Sequence, residues 1–209
     1  MGVTVDLATE LARQLGVPLQ LHAFEKAIAS VEAVSEARAD VGFFAIDPKR
    51  GETVLFTPAY VLIEGCYAVR QESPLQTSRE VDREGQRIVV GQGSAYDLFL
   101  SRSITAATLV RVATSQAVVD EFLGVGADVA AGVREQLLQD LARVPGLRLL
   151  PEPFMVIEQA MGCPSPRGPE ALRGLHQFVE WAKASGFVQD SLTRHGQTGA
   201  RVAPASPES

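Results

Sequence analysis

Residues 87–143 alternate between two hydrophobic periods, and that alternation restricts the fold more than any other feature of the chain. RIVVG (87–91), TLVRVA (108–113) and ADVAAGV (127–133) are short apolar runs that read as strands. The stretches after them, 94–102, 115–123 and 134–143, read as helices. Short strands separated by helices of this length build βαβ units and a mostly parallel sheet. A second block of the same kind lies ahead of the first. Leu7, Ala8, Leu11, Ala12 and Leu15 line one face of a helix over 5–15 that Gly16 ends. PLQLHAF (18–24) reads as a strand, 25–38 as a helix, ADVGFFAI (39–46) as a doubly buried strand, and VLIEGCYAVR (61–70) as another strand. DPKRGE (47–52) is a loop punctuated by Pro48 and Gly51.

Two blocks imply two α/β lobes, each a mostly parallel sheet flanked by helices. The polar segment 71–86, with Pro74, connects them. LRLLPEPF (147–154) and MVIEQAMG (155–162) are extended, and 169–185 is helical with Leu172, Leu175, Val179 and Ala182 in register. The expected division is a discontinuous lobe 1 over 1–73 and 154–195, lobe 2 over 74–153, and a disordered tail over 196–209. Such proteins bind small molecules in the cleft between lobes.

Charge and residue usage remove several function classes. A net charge of -6 without a Lys/Arg cluster argues against nucleic acid or anionic lipid as partner. No apolar run approaches the ~20 residues of a membrane span. Cys66 and Cys163 fit no CxxC spacing, and His22, His176 and His195 lack the i, i+4 partner of a helical zinc site. No metal and no cofactor is therefore expected. A dinucleotide reading of GQGSAY fails for want of a third glycine and of a placed acid. MGVTVDLATELARQL has neither the basic nor the apolar region of a signal peptide. The cytoplasm is expected if this start is the natural one.

VVGQGSAYDLFL (89–100) reads as strand, tight turn and helix start. Free amides and the helix dipole favour an anion at such a start. Ser94-x-x-Asp97 is also a capping box, which satisfies the same amides internally. Both readings of Ser94 stand.

Taken in order, GVTVDLATELARQLGVPLQL, ADVGFFAIDPKRGETVLFTPAY, VVGQGSAYDLFL, GADVAAGV and a last GF-containing helix resemble a family 3 extracellular solute-binding protein. These are receptors of amino-acid ABC importers, with the two-lobed type 2 periplasmic-binding fold. Asp40, Pro48, Arg50, Phe56, Thr57 and Tyr60 carry the most specific part of the likeness. The resemblance implies a small carboxylated ligand, ABC permease subunits as partners, a periplasmic location, and hinge closure instead of catalysis. It implies that Arg50 pairs with the ligand carboxylate, a match of planar guanidinium to carboxylate. Ala45 and Asp47 beside it, and Gly93, Ser94 and Val133 in the other lobe, complete the expected ligand contacts. It also implies that Cys66 and Cys163 lie in neighbouring strands, as a bridge or as two separate buried thiols.

The chain departs from the family pattern in three places. Asp47 replaces a hydroxyl residue beside Arg50, where a carboxylate either competes for the arginine or receives a ligand cation. Val133 stands where an aspartate holds the ligand ammonium, and an apolar residue cannot offset a buried cation. Arg134 follows, either solvated or favouring an anionic ligand. A strand that the family places between 18–24 and 39–46 has no counterpart, so lobe 1 is expected to show unpaired strand edges. Two other functions remain open: a cyclohexadienyl dehydratase-like enzyme, with Glu64 or Asp47 as its acid, and a ligand-sensing domain.

Overall fold

The computed structural model describes residues 2–206. The chain divides into two compact units, Met1–Leu62 with Glu158–Ser209, and Ile63–Ile157. The divisions fall inside two long strands, not in the polar segment 71–86.

In the first unit, helix α1 (Val3–Leu15) buries Leu7 and Ala12 and stops at Gly16, whose left-handed φ of 68° lets the following amide return to Ala12 O. Further on, α6 (Gly168–Ala184) leads through Gly186 into α7 (Phe187–Arg194), against which α1 packs. Asp6 on α1 accepts bonds there from Ser191 Oγ at 2.6 Å and Arg194 Nη1 at 2.7 Å, with His195 Nε2 at 3.0 Å. Helix α2 (Ala27–Ser35) lays Val34 on Phe44 and Val54. Phe44 belongs to β1 (Gly42–Ala45) and Val54 opens β2 (Val54–Arg70). The strand order is β1-β7-β2, with β7 (Met155–Pro164) antiparallel to β1 from Gly42↔Gly162 to Ala45↔Gln159.

Three expectations change here. PLQLHAF forms no strand: it runs as irregular chain with Leu19, Leu21 and Phe24 exposed. Its alternation suits a strand, but no neighbouring strand accepts its hydrogen bonds, and a strand exists only as a paired element. The outer edge of β1 likewise pairs with no strand among the described residues. Between the two lies a trough of about 730 Å³, lined by Leu11, Leu15, Leu19, Leu21, Phe24 and Phe43 and also by Gln20, His22, Arg38 and Asp40. The strand expected over 61–70 starts earlier, at Val54, and runs through Pro58. Lastly, part of the tail is ordered. Ala200–Val202 forms β8 on β2, Ala203 N donates to Tyr60 O, and Lys183 Nζ donates to Ala59 O and Pro204 O. Three residues, Ala200, Arg201 and Val202, are too few to announce a strand. Residues 207–209 of the expected tail lie outside the described residues.

In the second unit the order is β2-β5-β3-β4, with β6 (Leu147–Leu149) also on β2. Strand β3 (Arg87–Gly91) runs parallel to β4 (Thr108–Val112) and to β5 (Val129–Val133), while β5 is antiparallel to β2. Helices α3 (Ala95–Ser103), α4 (Val118–Gly124) and α5 (Arg134–Arg143) follow these strands. Ile88 and Val90 face a core with Tyr96 and Leu100; Val89 faces the other core with Phe122, Ala130 and Leu137. Burial on both faces explains why β3 reads as a continuous apolar run. Arg70 lies over the Phe122 ring at 4.5 Å and donates to Ala127 O. Asp82 anchors the loop before β4 by accepting from Thr105 N, Ala106 N and Ala107 N and from Thr105 Oγ1.

Candidate functional site

The first unit gathers Ala45, Asp47 and Arg50. The chain leaves β1 at Ala45 and turns at once. Asp47 Oδ1 accepts from Lys49 N at 2.9 Å, and Asp47 O accepts from Gly51 N at 2.9 Å. This side-chain turn closes the loop and starts a short 3₁₀ turn, Arg50–Glu52. Arg50 thereby swings back over β1, where its Nη1 donates to Ala45 O at 3.1 Å. Asp47 and Arg50 are 4% and 7% exposed, so two opposite charges are buried in a loop whose Pro48, Lys49 and Gly51 are exposed. Burial draws the Arg50 pKa below its ordinary value, and the charge of Asp47 acts in the opposite direction. A guanidinium stays cationic under either influence. Thr57, part of the motif after this loop, bridges strands: its hydroxyl donates to Pro58 O and accepts from Met161 N. Asp40 is an exposed partner of Arg167.

The second unit brings Gly93 and Ser94 together at the start of α3. Gly93 adopts φ 72°, a conformation that suits glycine. Ser94 Oγ accepts from Asp97 N at 3.0 Å, and Asp97 Oδ2 accepts from Gly93 N at 2.8 Å. Asp97 is 4% exposed, and its other oxygen receives Ser101 Oγ and Arg111 Nε. The capping reading of Ser94 therefore holds, with a shift: the acid reaches the amide before the cap residue. Gly91 admits no side chain, because a Cβ there would stand 2.8 Å from Ser115 Oγ and 2.9 Å from Tyr96 Oη.

Val133 ends β5 and caps α5, with no side-chain bond to the helix start. The carboxyl ends of β3, β4 and β5 lie on one edge of this unit, since the three strands are parallel. That edge is where open α/β sheets bind ligands. It collects Gly93, Ser94 and Val133, the expected contacts, and adds a pair whose meeting was not foreseen. Arg134 Nε donates to Glu64 Oε2 at 2.5 Å. Burial lowers the Arg134 pKa, but Glu64 and Cys66 together outweigh it and the net shift is upward. The neighbouring Cys66 thiol is pushed up to about 11 by burial, against the pull of Arg134. The available signal was Glu64 itself, the one charge inside VLIEGCYAV. Among the described residues, no three His, Cys, Asp or Glu side chains cluster as a metal site would need, and no helix is long and apolar enough to cross a membrane.

Two α/β units, each with polar residues where its strands give way to loops, define a ligand-binding protein. Residues 1–198 match the model of the bacterial extracellular solute-binding proteins, family 3, and the chain belongs to that family. Among solved structures, it resembles a binding component of an ABC transporter from Wolinella succinogenes complexed with lysine. The TM-score is 0.79 at 20% identity, over 93% of this chain and 85% of that one. It resembles a histidine kinase sensor domain similar to periplasmic binding proteins at TM-score 0.79 and 16% identity, over 97% and 88%. An ancestral amino-acid-binding protein, a precursor of cyclohexadienyl dehydratase, gives 0.76 and 16%, over 93% and 84%. Curated protein sequences yield no match. The fold is thus the mixed α/β fold of periplasmic binding proteins.

Proposed function

We propose that this chain is the solute-binding component of an ABC importer, located in the periplasm and taking a small carboxylated solute by binding, without chemistry. Ala45, Asp47 and Arg50 are its contacts in the first unit, and Gly93, Ser94 and Val133 those in the second. The observation that carries the reading is the Arg50 guanidinium: 7% exposed, fixed by Ala45 O, and set beside a buried acid. A planar cation held out of bulk water is an efficient carboxylate receptor. The amino-acid ligands of structural relatives support the same class of solute.

Calorimetry with the twenty amino acids and short carboxylates tests the proposal on wild type and Arg50→Ala. Loss of a buried charged hydrogen-bond partner costs about 2–5 kcal/mol. A bound carboxylate should therefore weaken by roughly thirtyfold or more in the variant. Equal affinity in both proteins would remove Arg50 from the site. Consumption of a cyclohexadienyl acid by the wild type would make the chain an enzyme instead.

A further inference from the structure

We propose that Arg134, oriented by Glu64, receives a second anionic group of the solute, so that the ligand carries two carboxylates: an acidic amino acid or a short dicarboxylate. The inference rests on the solute-binding reading above.

Position comes first. Arg134 opens α5 immediately after β5 ends, on the ligand-binding edge of the second unit. Glu64 reaches it from β2, one residue before Gly65, whose Cα faces that of Val133. The two side chains are 28% and 34% exposed, so the pair is neither sealed in the core nor fully solvated. Among the described residues Glu64 is the single ion partner of Arg134.

The geometry of the bond decides what remains available. Glu64 engages Nε. The two terminal nitrogens of a guanidinium can form a bidentate pair with a carboxylate; the Glu64 bond occupies neither, and the Cys66 thiol is the other side chain that the guanidinium meets. An arginine anchored through one edge loses little further freedom when an anion binds the other. The start of α5 adds to the pull: the helix has ten residues, its cap residue Val133 supplies no side-chain acceptor, and its first amides point toward the same edge.

The acids of the neighbourhood have other work. Asp97 holds Gly93 N, Ser101 and Arg111. Glu135 is engaged, and Glu64 is bound to Arg134. Val133 offers a cation nothing. The edge thus has a guanidinium to give, while Asp97 and Glu64 are held by bonds of their own, which favours an anionic group over an ammonium.

Isothermal titration with L-glutamate, L-aspartate and succinate, against L-glutamine, L-asparagine and L-lysine, separates the outcomes. L-glutamate should bind at least about tenfold tighter than the isosteric L-glutamine. In Arg134→Gln that preference should vanish through weaker L-glutamate binding, with L-glutamine unchanged; Arg134→Lys should keep part of it. Glu64→Gln should weaken L-glutamate less than Arg134→Gln does. Matched thermal midpoints of the unliganded proteins exclude misfolding, and Arg134→Lys serves where Arg134→Gln does not fold. Tighter binding of L-glutamine or L-lysine by the wild type, or intact L-glutamate affinity in Arg134→Gln, overturns the role of Arg134 and leaves the solute-binding reading standing. No heat from any probe overturns both.

Discussion

Replacing Asp97 by alanine should loosen the turn that opens α3, and the structure allows the cost to be worked out. The carboxylate is 4% exposed and accepts from Gly93 N at 2.8 Å, Arg111 Nε at 3.0 Å and Ser101 Oγ at 3.2 Å. Loss of a charged acceptor at a helix start costs about 1 kcal/mol. The Arg111 side chain is 43% exposed, so screening keeps its pair with Asp97 under about 1 kcal/mol. The longer Ser101 bond adds about 0.5 kcal/mol. Together these give about 1.5–2.5 kcal/mol. With a urea dependence of about 1 kcal/mol per molar for a unit of this size, the midpoint should fall by about 2 M. Far-UV circular dichroism follows the second unit along with the rest of the chain. The single tryptophan, Trp181, lies on α6 in the first unit and reports on that unit by its fluorescence. Ser101→Ala should cost about 1 kcal/mol, since it removes the weakest of the three bonds and the exposed bond that Arg111 Nη2 donates to Ser101 Oγ. A fall of less than about 0.5 M for Asp97→Ala, or an equal fall for Ser101→Ala, would show that something other than this carboxylate fixes the turn.

Three further outcomes follow from features already described. The amides of Ala107, Ala106 and Thr105 hold the Asp82 carboxyl well below its ordinary value near 4. A depressed pKa gives stability that is present above that ordinary value and lost as pH falls through the lower folded one. The urea midpoint of Asp82→Asn should therefore change less than the wild type's between about pH 5 and pH 3, and identical slopes would refute the linkage. Cys66 and Cys163 are both free and buried, and lie in different units. Denatured, unreduced protein should show two thiols to Ellman's reagent. In native protein Cys66, with its thiol pushed up to about 11, should react only as the chain opens; immediate reaction would contradict its burial. The trough beside β1 should bind the dye ANS, and Leu19→Lys with Leu21→Lys should abolish most of that signal, because exposed apolar edges of this kind are adhesive. Unchanged dye binding would place the sticky surface elsewhere.

The second unit was legible in the sequence because each local signal agreed with its neighbours there. Apolar runs of five residues, helices between them and a capping serine all specify one parallel sheet, and residues 87–143 adopt it. Where the sequence misled, the missing information was pairing. PLQLHAF carries a sound strand pattern, yet Leu19 and Leu21 remain exposed because a pattern does not supply the neighbouring strand. Pro58 suggests a break in β2, but one lost ladder donor does not outweigh a strand buried along most of its length. The clasp of Lys183 on Ala59 O and Pro204 O ties the tail down from 124 and 21 residues away, separations that no local window contains. The loop at Arg50 was legible by its likeness to a family. Its chemistry, an arginine folded back on Ala45 O beside a buried aspartate, required the coordinates. The Glu64–Arg134 pair spans 70 residues, and neither partner points to the other in the sequence.

The discontinuity of the first unit also sets an order of events during synthesis. Ile63–Ile157 is one uninterrupted stretch, complete when Ile157 leaves the ribosome. The other unit still lacks Glu158–Ser209 at that moment, and with it most of β7, α6, α7 and β8. Those last 52 residues, from 158 to 209, take about 3–10 s to make at ordinary elongation rates. During that interval α1, α2, β1 and the first half of β2 have none of their C-terminal partners, so Leu7 on α1, whose helix packs on α7 in the finished protein, stands open to water or to a chaperone. The half that folds last is the half that was translated earlier, and its apolar surface is exposed until Glu158–Ser209 has been made.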